Sequence, residues 1–304
     1  MIGRRLNPDN GKNGQKKGNK EPKWRDIPIA EEFRSTKKEN KKDSKVFIVQ
    51  ELSKVIGIGK SQAERLIKEH SIKSIDDLLD KYNKKKIKVS HKIDKGLKYF
   101  NKVKKAIPQS EMKSIDTLLT KEVPKVDADL TVIVCGSYRR GKDKSNDIDV
   151  LVTHKKINTQ KQFNKAVEKK NYLQDIVAHL KTVKRSNAKF MVDDLDLDYT
   201  TKYNGFCRLG KKPIRRIDIR FMPHDSYHTA LLYYTGSGDF NKQMRLTAKK
   251  KGYKLSEYSL CEYKEKDGKK ICQDFKIKSE KDTLADTFVE AIKNRIINKS
   301  NKSK

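Results

Sequence analysis

Cysteine is scarce: Cys135, Cys207, Cys261 and Cys272 are the only four in 304 residues. None stands in C-x-x-C spacing, which argues against a zinc site or a disulfide scaffold and suits a reducing compartment. Long apolar runs are missing too. No stretch approaches the roughly 20 residues that a membrane-spanning helix needs, and no apolar signal core follows Met1. An intracellular protein without a membrane partner is expected. Acidic residues are the third shortage, with 40 Asp and Glu against 72 Lys and Arg, a formal charge of +32. That excess makes a polyanion the expected partner. Lysine is spread over the whole chain, so charge alone does not locate the binding surface. The length holds one large domain or two to three small ones.

What is present centres on residues 134–151, V-C-G-S-Y-R-R-G-K-D-K-S-N-D-I-D-V-L. An apolar run at 130–134 leads into a small-residue turn, Gly136-Ser137, then Arg139 and Arg140. A polar loop follows, and Asp147-Ile148-Asp149 opens a second apolar run at 150–152. Strand residues alternate faces, so Asp147 and Asp149 point one way and Ile148 the other, into a core. Two such carboxylates repel unless a cation sits between them. Mg²⁺ is the expected one, because it takes hard oxygen ligands and shares them with substrate phosphates. Gly136 and Ser137 offer N–H groups and a hydroxyl to a phosphate, and the two arginines offer guanidinium forks. D-x-D alone has a plainer reading, an exposed strand edge beside a basic turn. G-S-Y-R-R-G followed by D-I-D at this distance is far more specific.

The stretch resembles the nucleotidyltransferase signature of the family X DNA polymerases, the DNA polymerase beta group. R-R-I-D-I-R at 215–220 resembles that family's second catalytic strand, and Y-Y-T-G-S at 233–237 with F-N-K-Q-M-R at 240–245 its nucleotide-selecting segment. The likeness runs from about residue 45 to 297. It implies an α/β (α+β) fold: a helix-hairpin-helix DNA-binding domain at 45–108, a nucleotidyltransferase palm with a mixed sheet at 109–224, and a nucleotide-selecting α/β subdomain with a basic tail at 225–304. Residues 1–44 read as a disordered basic head. That head is either a tether to nucleic acid, a carrier of a nuclear-targeting signal, or a solvated tail with no role. Trp24, Ile27, Ile29 and Phe33 offer it a short docking segment.

Along the chain, apolar positions at helical spacing end in V-I-G-I-G-K-S at 55–61 and a second helix, the helix-hairpin-helix pattern. Gly57 and Gly59 let the turn approach a phosphate, and the N–H groups at Ser61 open the next helix toward it. The resemblance implies a monovalent cation, Na⁺ or K⁺, on the carbonyls of Ser53, Val55 and Ile58. Ile107-Pro108 is expected to end one helix and Ser110-Glu111 to begin the next. Where the family commonly has a triphosphate-binding arginine this chain has Ala106, with Lys105 beside it as a point charge. Residues 155–190 read as a helix pair in which His179 packs or faces solvent. The run D-D-L-D-L-D at 193–198 mimics a metal strand but falls where the family has a variable loop. Residues 254–263 read as a strand, and S-E-K-D at 279–282 caps a last helix.

The resemblance also assigns roles. Asp147, Asp149 and Asp218 would hold two Mg²⁺ ions, with Mn²⁺ as a substitute, and Asp218 would accept, or help pass on, the primer hydroxyl proton. Arg216 and Arg220 would hold Asp218, with Arg216 also facing DNA. Ser137, Arg140 and Asn146 would meet the triphosphate beside Gly136. Tyr233, Tyr234 and Gly236 would flank the sugar, and Asn241 the base edge. Lys242 and Arg245 would touch the template strand. Tyr227 is followed by His228 where relatives often carry a second tyrosine. The expected activity is Mg²⁺-dependent transfer of dNMP from dNTP to a primer 3′-hydroxyl in a short DNA gap, as in base-excision repair. A monomer on gapped or primed duplex DNA is expected, in the nucleus or a viral DNA-replication compartment. No counterpart of the family's helical lyase domain is found, so 5′-deoxyribose-phosphate lyase activity is expected to be missing. The alternatives are a template-independent terminal transferase or end-joining polymerase, an RNA nucleotidyltransferase, and a non-catalytic DNA-binding scaffold. Tyr233-Tyr234 and the hairpin speak against the untemplated and RNA transferases, and the three aspartates against the scaffold; base-excision and end-joining roles are not separated by these residues.

Overall fold

The computed structural model describes residues 44–104, 106–266, 269–275, 277 and 280. The basic head, Lys105, most of the cap at 279–282 and the tail lie outside these residues. The expected loss of lyase activity rests on the head and lies outside them too.

Four helices open the described chain: α1 (Ser44–Leu52), α2 (Lys60–His70), α3 (Ile75–Asn83) and α4 (His91–Tyr99). They bury their own core of Leu52, Val55, Ile58, Leu66, Ile72, Leu78, Ile93 and Leu97. Ser74 caps α3 by accepting the Asp77 N–H, which satisfies one of the orphan donors of a helix start. Gly96 lets α4 close on the hairpin, since a Cβ there would lie 1.9 Å from the Ile56 carbonyl oxygen.

The palm follows. Ile107 and Pro108 form β1 (Ile107–Pro108), not a helix end, and pair with β3 (Lys144–Ser145). The next helix, α5 (Gln109–Glu122), starts directly after Pro108 with no side-chain cap. The main sheet has the order β2 (Leu130–Val134), β4 (Ile148–His154), β9 (Arg215–Met222), β8 (Lys202–Cys207), β7 (Met191–Asp194). It is mixed: β4 and β9 run parallel and the other pairs antiparallel. Helices α7 (Gln160–Lys169) and α8 (Tyr172–Thr182) confirm the expected helix pair, and a small hairpin, β5 (Lys184–Arg185) and β6 (Ala188–Lys189), fills the rest of that stretch.

Period-two alternation decides what the sheet does. Ile148, Val150 and Val152 of β4 and Ile217, Ile219 and Phe221 of β9 are buried against α5, α7 and α8. Burying each such side chain contributes about 1.5–3 kcal/mol. The opposite face carries Asp149 and Leu151 on β4 and Asp218 and Met222 on β9. There Leu151 and Met222 pack under Ala230 and Leu231 of α9 (Tyr227–Thr235). The helix covers only the far end of this face, which leaves the aspartates at its open end.

The chain continues as α10 (Gly238–Lys250), β10 (Tyr253–Leu255), β11 (Leu260–Lys266) and β12 (Lys269–Asp274). The strand expected at 254–263 is thus two strands, broken where Ser256 accepts the N–H groups of Tyr258 and Ser259. Cys261 is disulfide-bonded, a pairing that cysteine spacing did not foretell, whereas Cys135 and Cys207 are buried free thiols. Among the described residues no helix is long and apolar enough to cross a membrane.

Candidate active site

Asp149 and Asp218 are direct neighbours across the parallel β4–β9 pair. Asp147 stands one residue before β4, and one oxygen from each of the three lies within 4.8 Å of the others. Burial, joined by the charges of Asp147 and Asp218, pushes Asp149 up to about 7. Burial also raises Asp218, against the pull of Arg216 and Arg220. Oδ1 of Asp218 is buried without a hydrogen-bond partner. A buried carboxylate oxygen left unpaired is costly, and a hard divalent cation is the partner that three converging carboxylates fit. The second acid-rich grouping among the described residues, Asp127, Asp129 and His154, does not fit a metal. Nδ1 of His154 accepts the Lys156 N–H at 3.2 Å, which leaves the ring proton on Nε2, facing Asp127 at 3.5 Å. Lys156 neutralises Asp129.

Arg216 bridges the site, reaching Asp147 at 3.0 Å and also Asp218. Arg220 does not touch Asp218. It donates to the carbonyls of Tyr203 and Ile219 and to Oδ1 of Asn204, so it acts on Asp218 through its field alone.

The turn at Gly136 is fitted to the carboxylates. The Cys135 N–H donates to the Asp149 carbonyl at 2.7 Å, and the chain then enters α6 (Gly136–Arg139). Gly136 has φ +57°, a left-handed conformation that favours glycine. A Cβ there would lie 2.2 Å from Oδ2 of Asp149. Ser137 follows as the half-buried second residue of α6. The two arginines part company: Arg140 donates to the Thr235 carbonyl, beside Gly236 and the cis Gly236–Ser237 peptide. Arg139, expected to offer a second fork, instead holds Glu280 at 2.8 and 2.6 Å and the Thr235 hydroxyl at 2.8 Å. It ties the turn to the C-terminal subdomain.

Tyr233 and Tyr234 close α9 with their rings edge to face, centroids 5.2 Å apart, and burial raises the Tyr234 hydroxyl. Asn241 donates its amide to the Tyr233 carbonyl at 2.7 Å, locking the start of α10 to the end of α9. Lys242 and Arg245 are exposed on α10, with Lys242 3.5 Å from Asp239.

A cleft of about 860 Å³ lies between part of the carboxylate site and the hairpin; Asp149, the turn at Gly136 and the residues of α9 and α10 are not among its lining. Its walls include Ser53, Val55, Gly57, Ile58 and Gly59 on one side and Asn146, Asp147, Arg216 and Asp218 on the other. The two hairpin glycines differ. Gly57 has φ +92°, and a Cβ there would meet the Lys92 backbone at 3.1 Å; a Cβ on Gly59 would meet nothing within 4 Å. Ser61 is exposed in the first turn of α2. Lys92 and Asn204 also line the cleft, and neither was singled out from sequence. Asn204 is opposite Asp218 in the β8–β9 register, a neighbour that only strand pairing reveals.

A mixed sheet that presents three carboxylates beside a glycine-shaped turn, facing a helix-hairpin-helix across a cleft, is the palm of a nucleotidyltransferase fold. The family model of the DNA polymerase beta palm matches residues 106–224 and that of the DNA polymerase beta thumb residues 230–285. The chain belongs to the family X DNA polymerases, the DNA polymerase beta group. It is 30% identical over 223 residues to DNA polymerase lambda of Arabidopsis thaliana, covering 72% of this chain and 39% of that one. DNA polymerase lambda of Rattus norvegicus is 34% identical over 172 residues, 54% of this chain and 27% of its own. DNA nucleotidylexotransferase of Xenopus laevis is 24% identical over 184 residues, 54% of this chain and 36% of its own. The chain thus spans well under half the length of these relatives. A solved structure of Leishmania infantum polymerase beta, a ternary P/T complex, superposes with TM-score 0.67 at 28% identity, covering 80% of this chain and 94% of that one.

Proposed function

We propose that this chain is a templated DNA polymerase that extends a primer 3′-hydroxyl across a short gap in duplex DNA. The observation that carries the reading is the convergence of Asp147, Asp149 and Asp218, of which Asp147 and Asp218 line one wall of a cleft whose other wall is the hairpin. The similarity to polymerases lambda and beta supports it.

In this reading the three aspartates hold two Mg²⁺ ions, replaceable by Mn²⁺, which when bound lower the pKa of the primer hydroxyl and offset charge on the triphosphate. Asp218, raised by burial, accepts the hydroxyl proton. The 3′-oxygen bonds to the α-phosphorus of the dNTP, and pyrophosphate leaves. Gly136 and Ser137 cradle the outer phosphates with donors aimed at the anion, and Arg140 and Asn146 flank them. Tyr233, Tyr234 and Gly236 form the wall against the sugar, and Asn241 the base edge. Arg216 bridges Asp147 and Asp218 and holds them in register until substrate arrives, then faces DNA. On the opposite wall, the turn at Gly57 and Gly59 and the start of α2 at Ser61 take the DNA backbone. A Na⁺ or K⁺ ion on the carbonyls of Ser53, Val55 and Ile58 assists. Lys242 and Arg245, exposed on α10, meet the template strand.

The test is primer extension on a gapped duplex with Mg²⁺ and one dNTP at a time, beside a single-stranded primer. Incorporation restricted to the complementary base on the gapped duplex is expected. Extension of the single strand by any nucleotide would instead make the chain a terminal transferase, the activity named for its Xenopus laevis relative. Asp218→Ala is expected to abolish extension and keep gapped-DNA binding.

A further inference from the structure

The acidic run at 193–198 takes no part in that chemistry, yet it is where the hairpin domain is fastened to the palm. Asp193, on β7, accepts from three side chains of α4. Lys95 reaches both of its oxygens at 2.9 Å, Lys98 lies at 3.0 Å and the Tyr99 hydroxyl at 3.1 Å. Asp196, in the turn after β7, accepts Lys92 at 2.9 Å on one oxygen. Its other oxygen takes the backbone N–H of Asn204 at 2.9 Å and the Asn204 amide at 2.5 Å. Asn204 in turn accepts Arg220 at 3.3 Å and sits opposite Asp218 in the sheet.

A continuous chain of contacts therefore runs Lys92, Asp196, Asn204, Arg220, ending beside Asp218. At its other end the backbone of Lys92 lies under the hairpin turn at Gly57. The inner pair is well sheltered, with the Lys95 and Asp193 side chains 18% and 19% exposed, so it is screened less than a surface pair. Apolar contact also joins the two domains, through Tyr99, Leu195 and Phe206, with the Tyr99 and Phe206 rings 4.4 Å apart. Apolar attraction is non-directional. Charge-assisted hydrogen bonds are directional, and here they come from one face of a single helix, at Lys92, Lys95, Lys98 and Tyr99.

We infer that Asp193 and Asp196 are positioning residues that fix the angle of the hairpin domain over the catalytic row, with Asn204 carrying the link to the strand of Asp218. The orientation claim stands on geometry alone. Its consequence for DNA affinity rests on the function proposed above.

The test uses the full chain with spin labels at Glu64→Cys on α2 and Lys169→Cys on α7, both exposed positions, and reads the inter-label distance distribution. A narrow distribution is expected for the parent. Asp193→Lys with Asp196→Lys should broaden it and weaken gapped-DNA binding about tenfold, within the usual range of coupling energies. Adding Lys92→Asp to Asp196→Lys should narrow it again, a rescue that a general loss of stability would not show. Asp193→Asn with Asp196→Asn, which keep the side-chain shape, should broaden it less and guard against misfolding of the lysine variants. An unchanged distribution in both double variants overturns the inference. A broadened distribution with DNA affinity intact supports the clasp and overturns the assignment of the hairpin as the DNA grip.

Discussion

A side-chain carbon on Gly136 would stand 2.2 Å from Oδ2 of Asp149: the turn and the carboxylate are packed to the limit against each other. Gly136→Ala must therefore move Asp149, and it strains a backbone at φ +57°. Displacing a reacting geometry by about 1 Å costs on the order of 10²-fold in rate. We expect single-nucleotide incorporation to fall by about that factor while circular dichroism reports a folded chain. Wild-type rates would mean that the turn gives way without disturbing the carboxylate.

The hairpin glycines separate fold from contact. Gly57→Ala meets both a positive φ and the Lys92 backbone at 3.1 Å, so it should lower the thermal midpoint and DNA affinity together. Gly59→Ala meets nothing. It should fold like the parent and lose affinity only if its new methyl group intrudes where a phosphate approaches. Melting curves beside DNA titrations of the two variants distinguish the cases.

Arg215 and Glu111 form a buried bidentate pair at 2.9 and 2.8 Å, and Arg215 also holds the Lys104 carbonyl at 2.7 Å. This pair staples α5 to the start of the strand that bears Asp218. Glu111→Ala removes the carboxylate from a buried guanidinium and should cost about 3–5 kcal/mol in urea unfolding. The double replacement Glu111→Leu with Arg215→Met should cost less than that single change. The reverse order would show that the pair itself, and not the loss of the carboxylate beside a buried guanidinium, supplies the stability.

The clustered carboxylates give stability a pH dependence of defined sign. Asp149 titrates at about 7 in the folded chain and near ~4 when unfolded. Between those values the folded state holds a proton that the unfolded state has released, so metal-free stability should fall as pH rises through this window. Asp218 is raised in the same direction and adds to the slope. Asp149→Asn should flatten it. Mg²⁺, which requires the ionised carboxylates, should stabilise the protein more above pH ~7 than below it. Urea midpoints across pH, with and without Mg²⁺, measure both effects, and a parent curve as flat as that of Asp149→Asn would refute the assignment.

Much of this was legible in the sequence because the signals are local. The alternation of D-I-D-V-L-V fixes which residues of β4 face the core. V-I-G-I-G-K-S encodes a turn that needs a left-handed residue at Gly57, and the small residues at 136–137 mark a tight turn before a helix. What depends on partners far along the chain was not legible. Arg139 and Arg140 are adjacent and chemically identical, yet Glu280 claims the first and the Thr235 carbonyl the second. The two-residue strand at Ile107 exists only because residues 144–145 lie beside it. The acidic run at 193–198 looks like a metal strand by spacing; its meaning comes from α4, about a hundred residues earlier, whose lysines it receives. Sequence by itself determined the alternation, the turns and the residue types of the site, since these follow from backbone sterics and periodicity within a few residues. Tertiary structure alone decided which charges meet, because a long charged side chain has many reachable partners and only packing selects among them.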